Sequence, residues 1–447
     1  MIEWPEPWLS VSNEPIMKEI PEFYEHRLAN GLRVLVAEDH SLPIVSYQVH
    51  FAAGSRYEKP GITGITHLFE HMMFKGTKEV GPEEFSRIIQ ANGGTLNAFT
   101  TTDNTSYYEN LPADRLELAI RLEADRLANL QITPESLEPE REVVRSERKL
   151  RSVNTPFGLL IEQLFALAYE QHPYRFPVIG WDHDLQNLTL KDCQEYYRLY
   201  YDPNNAVVVI VGDVSAGEAF KIVERHYGQL PPQTSPRVAI TPEKPQRGEK
   251  RATFKKVSRV GAFFAGFHIP GISHPDLLPL QILCGVLSTG RSSRFYEKLE
   301  KPGKAVEARA EMGYPPFFSM DPGLLQIYAI AAPAVSLESL EQEVWAEVED
   351  LRQRLISGEE LSKIKKQARS QFLRSLQTFF FKGLLGGLYQ VRAGDVRLLY
   401  SVLPRYESIA AEDVLRVAQK YLKPENRTVV SLKMVSQSEH EELGELA

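Results

Sequence analysis

Cysteine is scarce. The chain of 447 residues has two, Cys193 and Cys284, far apart and outside any CxxC or Cys/His cluster. That excludes a disulfide framework and a thiolate-held zinc, and leaves two buried thiols as the reading. Excess basic charge is also missing. Lys plus Arg number 51 against 59 Asp plus Glu, a formal net charge of −8. A general nucleic-acid binder needs the opposite balance, so no nucleic-acid partner is expected. No apolar run reaches the roughly 18 residues that span a bilayer. The N-terminal stretch is acidic, contains proline and reaches its first arginine only at Arg27. It has neither a basic, apolar leader nor an Arg-rich amphipathic one, so a cytoplasmic location is expected. A periplasmic or organellar location fits only where a targeting segment has been removed.

What the chain does have is ordinary globular composition, 43 % hydrophobic and 25 % charged. Its length suggests two to three domains. Residues Gln229–Lys250 carry five prolines and few large apolar side chains, which marks an extended linker. The expected boundaries are an extension at 1–22, a first domain at 23–228, the linker at 229–250 and a second domain at 251–447. The halves repeat. Asp192 matches Asp413, Pro203 matches Pro424, Asn205 matches Asn426 and Val208 matches Val429, each 221 apart (413 − 192, 424 − 203, 426 − 205, 429 − 208). Both segments read as helix, Pro/Asn turn and β-branched strand. Strands and helices do not alternate regularly. The expected class is therefore α+β: two homologous repeats, each a mostly antiparallel sheet with helices packed on one face.

The sharpest chemical signal is Gly61–Thr77, GITGITHLFEHMMFKGT. His67 and His71 are four apart and share one face of a helix. Glu70 falls on the same side, while Leu68, Phe69, Met72 and Met73 take the others. Thr63 is placed to cap the helix. Two imidazoles can grip one zinc ion, and a nearby carboxylate that is not a ligand can move a proton. H-x-x-E-H is the inverted form of the H-E-x-x-H zinc motif. A third ligand is not obvious from spacing. Glu140 and Glu147 lie seven apart on a helical stretch, EPEREVVRSERKLRS. By themselves they read as the solvated face of an acidic helix.

HLFEH followed after 76 residues (147 − 71) by Glu147 in EREVVRSE resembles the M16 (pitrilysin-type) metallopeptidases. NGLRVLVAEDHSLPIVSYQVHFAAGSRYE, LNAFTTTDNTSYY, HPYRFPVIGWDHDLQNLT and YYDPNNAVVVIVGD extend the likeness over nearly the whole chain. The resemblance implies a zinc endopeptidase with one zinc per chain, held by His67, His71 and Glu147. It makes Glu70 the general base and acid, and Glu140 the carboxylate that orients a ligating histidine. It maps Asn97, Ala98 and Phe99 to an edge strand that pairs with an extended peptide substrate. It implies a chamber that admits short or unfolded polypeptides.

Other aromatic and histidine residues read as structural. Tyr107 and Tyr108 are expected to pack on opposite faces of a sheet. His172 and Tyr174 line the site or serve packing, and the remaining histidines show no ligand spacing.

One departure from the family pattern stands out. Active members carry an Arg and a Tyr in the second repeat, and here Glu300 and Val306 fall near those positions. This implies a heterodimer in which a homologous subunit supplies the Arg/Tyr pair. The rivals are a homodimer and a non-catalytic scaffold or peptide-capturing subunit.

Overall fold

The computed structural model describes residues 20–153, 155–232, 239–257, 260–313 and 317–435. Most of the expected N-terminal extension and the middle of the linker lie outside these residues. In the first half the strands are β1 Tyr24–Arg27, β2 Arg33–Glu38, β3 Ile44–Phe51, β4 Thr95–Thr100, β5 Thr105–Pro112 and β6 Ala206–Gly212. The helices are α1 Ile65–Met72, α2 Glu84–Ala91, α3 Leu116–Asn129, α4 Pro134–Arg148, α5 Pro156–Ala168, α6 Asp182–Asn187, α7 Leu190–Tyr200 and α8 Ala216–Tyr227. The second half holds β7 Lys250–Val257, β8 Ala262–Ile269, α9 Leu277–Ser288, β9 Ala305–Glu311 and β10 Gly323–Ala331. It continues with α10 Leu337–Gln353, α11 Gly358–Ser375, α12 Phe379–Leu388, α13 Leu398–Ser408, α14 Ala411–Tyr421 and β11 Arg427–Val435.

The strands form two sheets, ordered β1-β2-β6-β3-β5-β4 and β7-β11-β8-β10-β9. Without β1 the two orders are the same. Each sheet has a single parallel pair, β2 with β6 and β7 with β11, and is otherwise antiparallel. The fold is α+β with two homologous repeats. The 221-residue repeat is visible as structure. Helix α7 and helix α14 match at both ends (411 − 190 and 421 − 200), as do the tight turns Pro203–Asn205 and Pro424–Asn426. Asn205 and Asn426 do the same job. Each side-chain amide donates to the last carbonyl of its helix, Tyr200 or Tyr421, and to the end of the neighbouring strand, Ala52 or His268.

The chain divides into two compact units that exchange segments between the halves. One unit is built from residues up to Arg148, from Phe176–Ile240 and from Gln371–Val402. The other takes Lys149–Arg175, Thr241–Ser370 and the chain from Leu403 on. The main core of the first unit lies on one face of its sheet, where Val34, Val36, Val208 and Ile210 meet apolar residues of α1, α3, α7 and α8. Leu35, Ala37, Val207, Val209 and Val211 point the other way and are covered by Phe379 and Val396. Strand β6 (AVVVIVG) is therefore apolar without alternation, as a strand buried on both faces must be. The sequence pattern left that second face unassigned. It is taken by α12, from the other half of the chain. In the second unit the equivalent layer is α5, where Leu160, Leu164 and Ala168 pack on Ala262, Phe264, Val430 and Leu432.

Near α12 the first sheet is polar. Gln48 Nε2 donates to Phe380 O at 2.7 Å. His50 bridges Ser106 Oγ at 2.7 Å and Gln48 Oε1 at 3.1 Å, and Asn104 Nδ2 donates to Ser106 Oγ at 2.8 Å. A side chain at Gly387 would place its Cβ 2.2 Å from His50 Nε2, so the helix can approach only because 387 is glycine. Burial holds the fully enclosed His50 imidazole down at about 3, with the Arg392 charge adding to the effect. It is therefore neutral. Tyr107 is buried beneath the sheet while Tyr108, on the opposite face, packs at a tilt against Phe380 with 4.4 Å between ring centres.

Candidate metal centre

Helix α1 begins at Gly64, whose φ of 85° suits glycine and whose Cβ would fall 2.6 Å from Ile179 O. Thr63, expected from the sequence to cap this helix, does not. Its hydroxyl donates to Asp184 Oδ2 at 2.6 Å and accepts from Trp181 N–H. The cap is the buried Glu58, whose carboxylate accepts from Gly64 N–H at 2.8 Å and Thr66 N–H at 2.9 Å. Burial lifts Glu58 to about 7, against the pull of these bonds. Ile65, Leu68, Phe69 and Met72 are fully buried at i, i+3, i+4 and i+7. That pins the helix to the core and leaves His67, Glu70 and His71 on the remaining face.

Helix α4 packs against α1. Its buried Leu137, Glu140, Val144 and Arg148 set the rotation that brings Glu147 to the histidines. His71 Nε2 lies 3.4 Å from Glu147 Oε2, and His67 Nε2 lies 3.9 Å from the same oxygen. The two imidazole centres are 4.9 Å apart. His67, His71 and Glu147 each offer one ligand atom, all within 4.8 Å of one another. Donors about 2.1 Å from a tetrahedral ion stand roughly 3.4 Å apart, so this set fits zinc. His71 Nδ1 is 2.9 Å from Glu140 Oε1. That bond makes Nδ1 the donor and leaves the Nε2 lone pair facing Glu147.

The electrostatics point the same way. Burial alone would lower the His71 pKa, but the bond to Glu140 and the charges of Glu140, Glu147 and Glu70 outweigh it and raise it. Burial would raise Glu140, but its bonds to His71 and Lys75 hold it below the carboxylate range. The carboxylates around His71 thus favour added positive charge at this spot, which a divalent cation supplies.

Two residues at the centre were not singled out by spacing. Lys75 Nζ contacts Glu140 Oε2 and Glu83 Oε1, each at 2.8 Å. It lies four residues beyond His71, so the stripe 67–71–75 was the available signal. Thr100 Oγ1 donates to Glu70 Oε2 at 2.6 Å. Ala98 and Thr100 share one face of β4 by alternation, next to α1. Asn97 is exposed, and its Oδ1 accepts from Ala98 N–H. Asn97, Ala98 and Phe99 sit on β4, which is an edge of the sheet, paired on one side only with β5.

His172 and Tyr174 belong to the second unit. There His172 Nε2 meets Asp321 Oδ2 at 2.9 Å and Tyr174 OH accepts from Asp321 N–H, a structural pairing. Glu300 accepts from Ala308 N–H and pairs with Arg309, and Val306 is exposed on β9. Among the described residues no helix is long and apolar enough to cross a membrane.

A zinc-type donor set on the first of two such repeats defines a class, the two-domain metallopeptidases. Residues 33–181 match the family model "Insulinase (Peptidase family M16)", and residues 187–368 match "Peptidase M16 inactive domain". The chain belongs to peptidase family M16, a family of zinc proteases. It is 31 % identical to a zinc protease, PqqE, of Helicobacter pylori, over 93 % of each chain. A crystal structure of a protease from Helicobacter pylori superposes with a TM-score of 0.88 at 31 % identity, over 93 % of this chain and all of that one. A probable mitochondrial-processing peptidase subunit beta of Arabidopsis thaliana is 26 % identical over 94 % of this chain and 79 % of its own.

Proposed function

We propose that this chain is a zinc-dependent endopeptidase subunit acting on short or unfolded peptides. The observation that carries the reading is the convergence of His67, His71 and Glu147, with Glu70 beside them but outside the ligand set. One zinc per chain is held by those three. When bound, the metal supplies a Lewis acid that polarises a carbonyl and brings the pKa of water toward 7. The protein's own residues do the rest. Glu140, steadied by Lys75, holds His71 in the tautomer that presents Nε2. Glu70 takes the proton from the attacking water and passes it to the leaving amine. Asn97, Ala98 and Phe99 lie on β4, whose outer edge has no partner strand among the described residues. Only an extended peptide can pair there, which excludes folded substrates.

Glu300 and Val306 stand where an Arg/Tyr pair is expected, so the working enzyme is a heterodimer with a homologous subunit that brings that pair. The relative named as a processing-peptidase beta subunit supports this reading.

The test is turnover of an unfolded peptide by the zinc-loaded chain, alone and with a co-expressed homologue. Glu70→Gln is expected to keep zinc and lose at least about a thousandfold in kcat. Strong cleavage by the chain alone would overturn the heterodimer. Zinc without cleavage under both conditions would favour a capturing or scaffold subunit instead.

A further inference from the structure

The turn between β4 and β5 is held more firmly than a hairpin needs. Thr101 N–H donates to Asn104 O at 2.8 Å, and the Thr101 hydroxyl accepts from Asp103 and Asn104 N–H. Arg56 N–H donates to Thr102 O at 2.9 Å. The approach is so close that a Cβ at Gly54 would lie 2.3 Å from that oxygen. From the far end of the sequence comes Arg392, 7 % exposed. Its Nε and Nη2 both reach Asn104 Oδ1, at 2.9 and 2.8 Å, and Nη2 reaches Thr101 Oγ1 at 3.1 Å. The residue immediately before this turn is Thr100, whose hydroxyl is bonded to Glu70.

We propose that Thr100 is the positioning residue for the catalytic carboxylate Glu70, and that Arg392 sets the position of Thr100 by clamping the turn at Thr101 and Asn104. A carboxylate that must accept and return a proton without ligating the metal has to be kept from swinging toward it. A hydroxyl donor 2.6 Å from one oxygen does that. Thr100 is the last residue of β4, in register with Thr105, so a clamp on the following turn fixes the backbone that carries the hydroxyl. The proposal rests on the peptidase reading above for the role of Glu70. It makes the second half of the chain part of the catalytic apparatus through one buried guanidinium.

The experiment uses the full-length, zinc-loaded protein together with its co-expressed homologous subunit. Thr100→Val is expected to lower kcat about thirtyfold, with KM changed less than about twofold and zinc content unchanged. Thr100→Ser is expected to return kcat to within about threefold of wild type. Arg392→Gln is expected to speed hydrogen exchange at the 101–104 amides at least about tenfold, without speeding exchange in β6. In a Thr100→Val background it should lower kcat by no more than about twofold further, because both act through one contact. Should Arg392→Gln fail to fold, Arg392→Lys keeps the charge, gives up the forked contact and is read the same way. The proposal is overturned by a Thr100→Val kcat within twofold of wild type, by a serine variant as slow as valine, by unchanged exchange in the turn, or by losses that simply multiply. A wild type and Glu70→Gln that are equally inactive would overturn the peptidase reading instead, and the exchange measurement would still decide the clamp.

Discussion

The second faces of the two sheets share a strand order but differ in chemistry along β3 and β8. Phe51 lies opposite Ala206 and Phe267 opposite Arg427, and 427 − 206 is again 221. By that register His50 occupies the place of Gly266, and Gln48 the place of Phe264. Thr105 and Leu325, opposite those phenylalanines, make Asn104 the counterpart of Leu324. In the first copy the strand is bulky and the helix supplies the glycine, Gly387 over His50. In the second the strand position is Gly266, where a Cβ would meet Leu324 at 3.0 Å and Leu164 only at an ordinary 3.5 Å. The polar version is the costlier one, since each buried group needs its partner. It occurs in the copy that carries the candidate centre, where Asn104 must be available to Arg392. The second copy packs Phe264, Leu324 and Val430 there.

Making the first copy more like the second should have its largest effect at the metal. Helix α9, the first helix after β8, is buried and apolar except at Gln281 and Ser288. Giving α1 that character with His67→Leu and His71→Leu is expected to weaken zinc binding at least about 10⁴-fold, measured by chelator competition, while the fold persists by circular dichroism.

The next effect is on acid stability. The folded value of His50, about 3, lies below the ordinary 6.5, so the folded state binds fewer protons than the unfolded one between those limits. Its contribution is complete above about pH 6.5 and is lost as pH falls toward 3, by up to about 5 kcal/mol. Urea titrations across that range should show a shallower decline in His50→Asn.

Asn205→Ala and Asn426→Ala remove the feature the two copies share. Each is expected to cost about 2 kcal/mol, with a difference under about 1 kcal/mol. Unequal losses would show that the repeat is geometric without being energetic. The smallest effect belongs to the first copy alone. Lys75→Met, which frees the outer oxygen of Glu140, should weaken zinc about tenfold in the same chelator assay.

Much of this was legible in the amino-acid order, for local reasons. Histidines four apart on a helix share a face whatever surrounds them, and an ungapped repeat of helix, turn and strand keeps its offset in space. Glu147 was legible only through resemblance, because its meeting with the histidines depends on how α4 rolls against α1. The exchange of α5 and α12 between halves was not legible. Their apolar residues announce burial but not against which sheet. Arg392 was invisible for the same reason, since 288 residues (392 − 104) separate it from Asn104. Thr63 misled because a threonine before a helix is the usual cap, and here Glu58 reached the amides first.

The exchanged helix also bears on synthesis. Strand β6 is complete at residue 212, but the helix that covers Leu35, Val207, Val209 and Val211 starts at 379, which is 167 residues later (379 − 212). At 5–20 residues per second the apolar back of that sheet stays bare on the ribosome for roughly ten to thirty seconds. Over that interval the nascent chain is an aggregation hazard that only a chaperone or a slow-forming sheet can avoid.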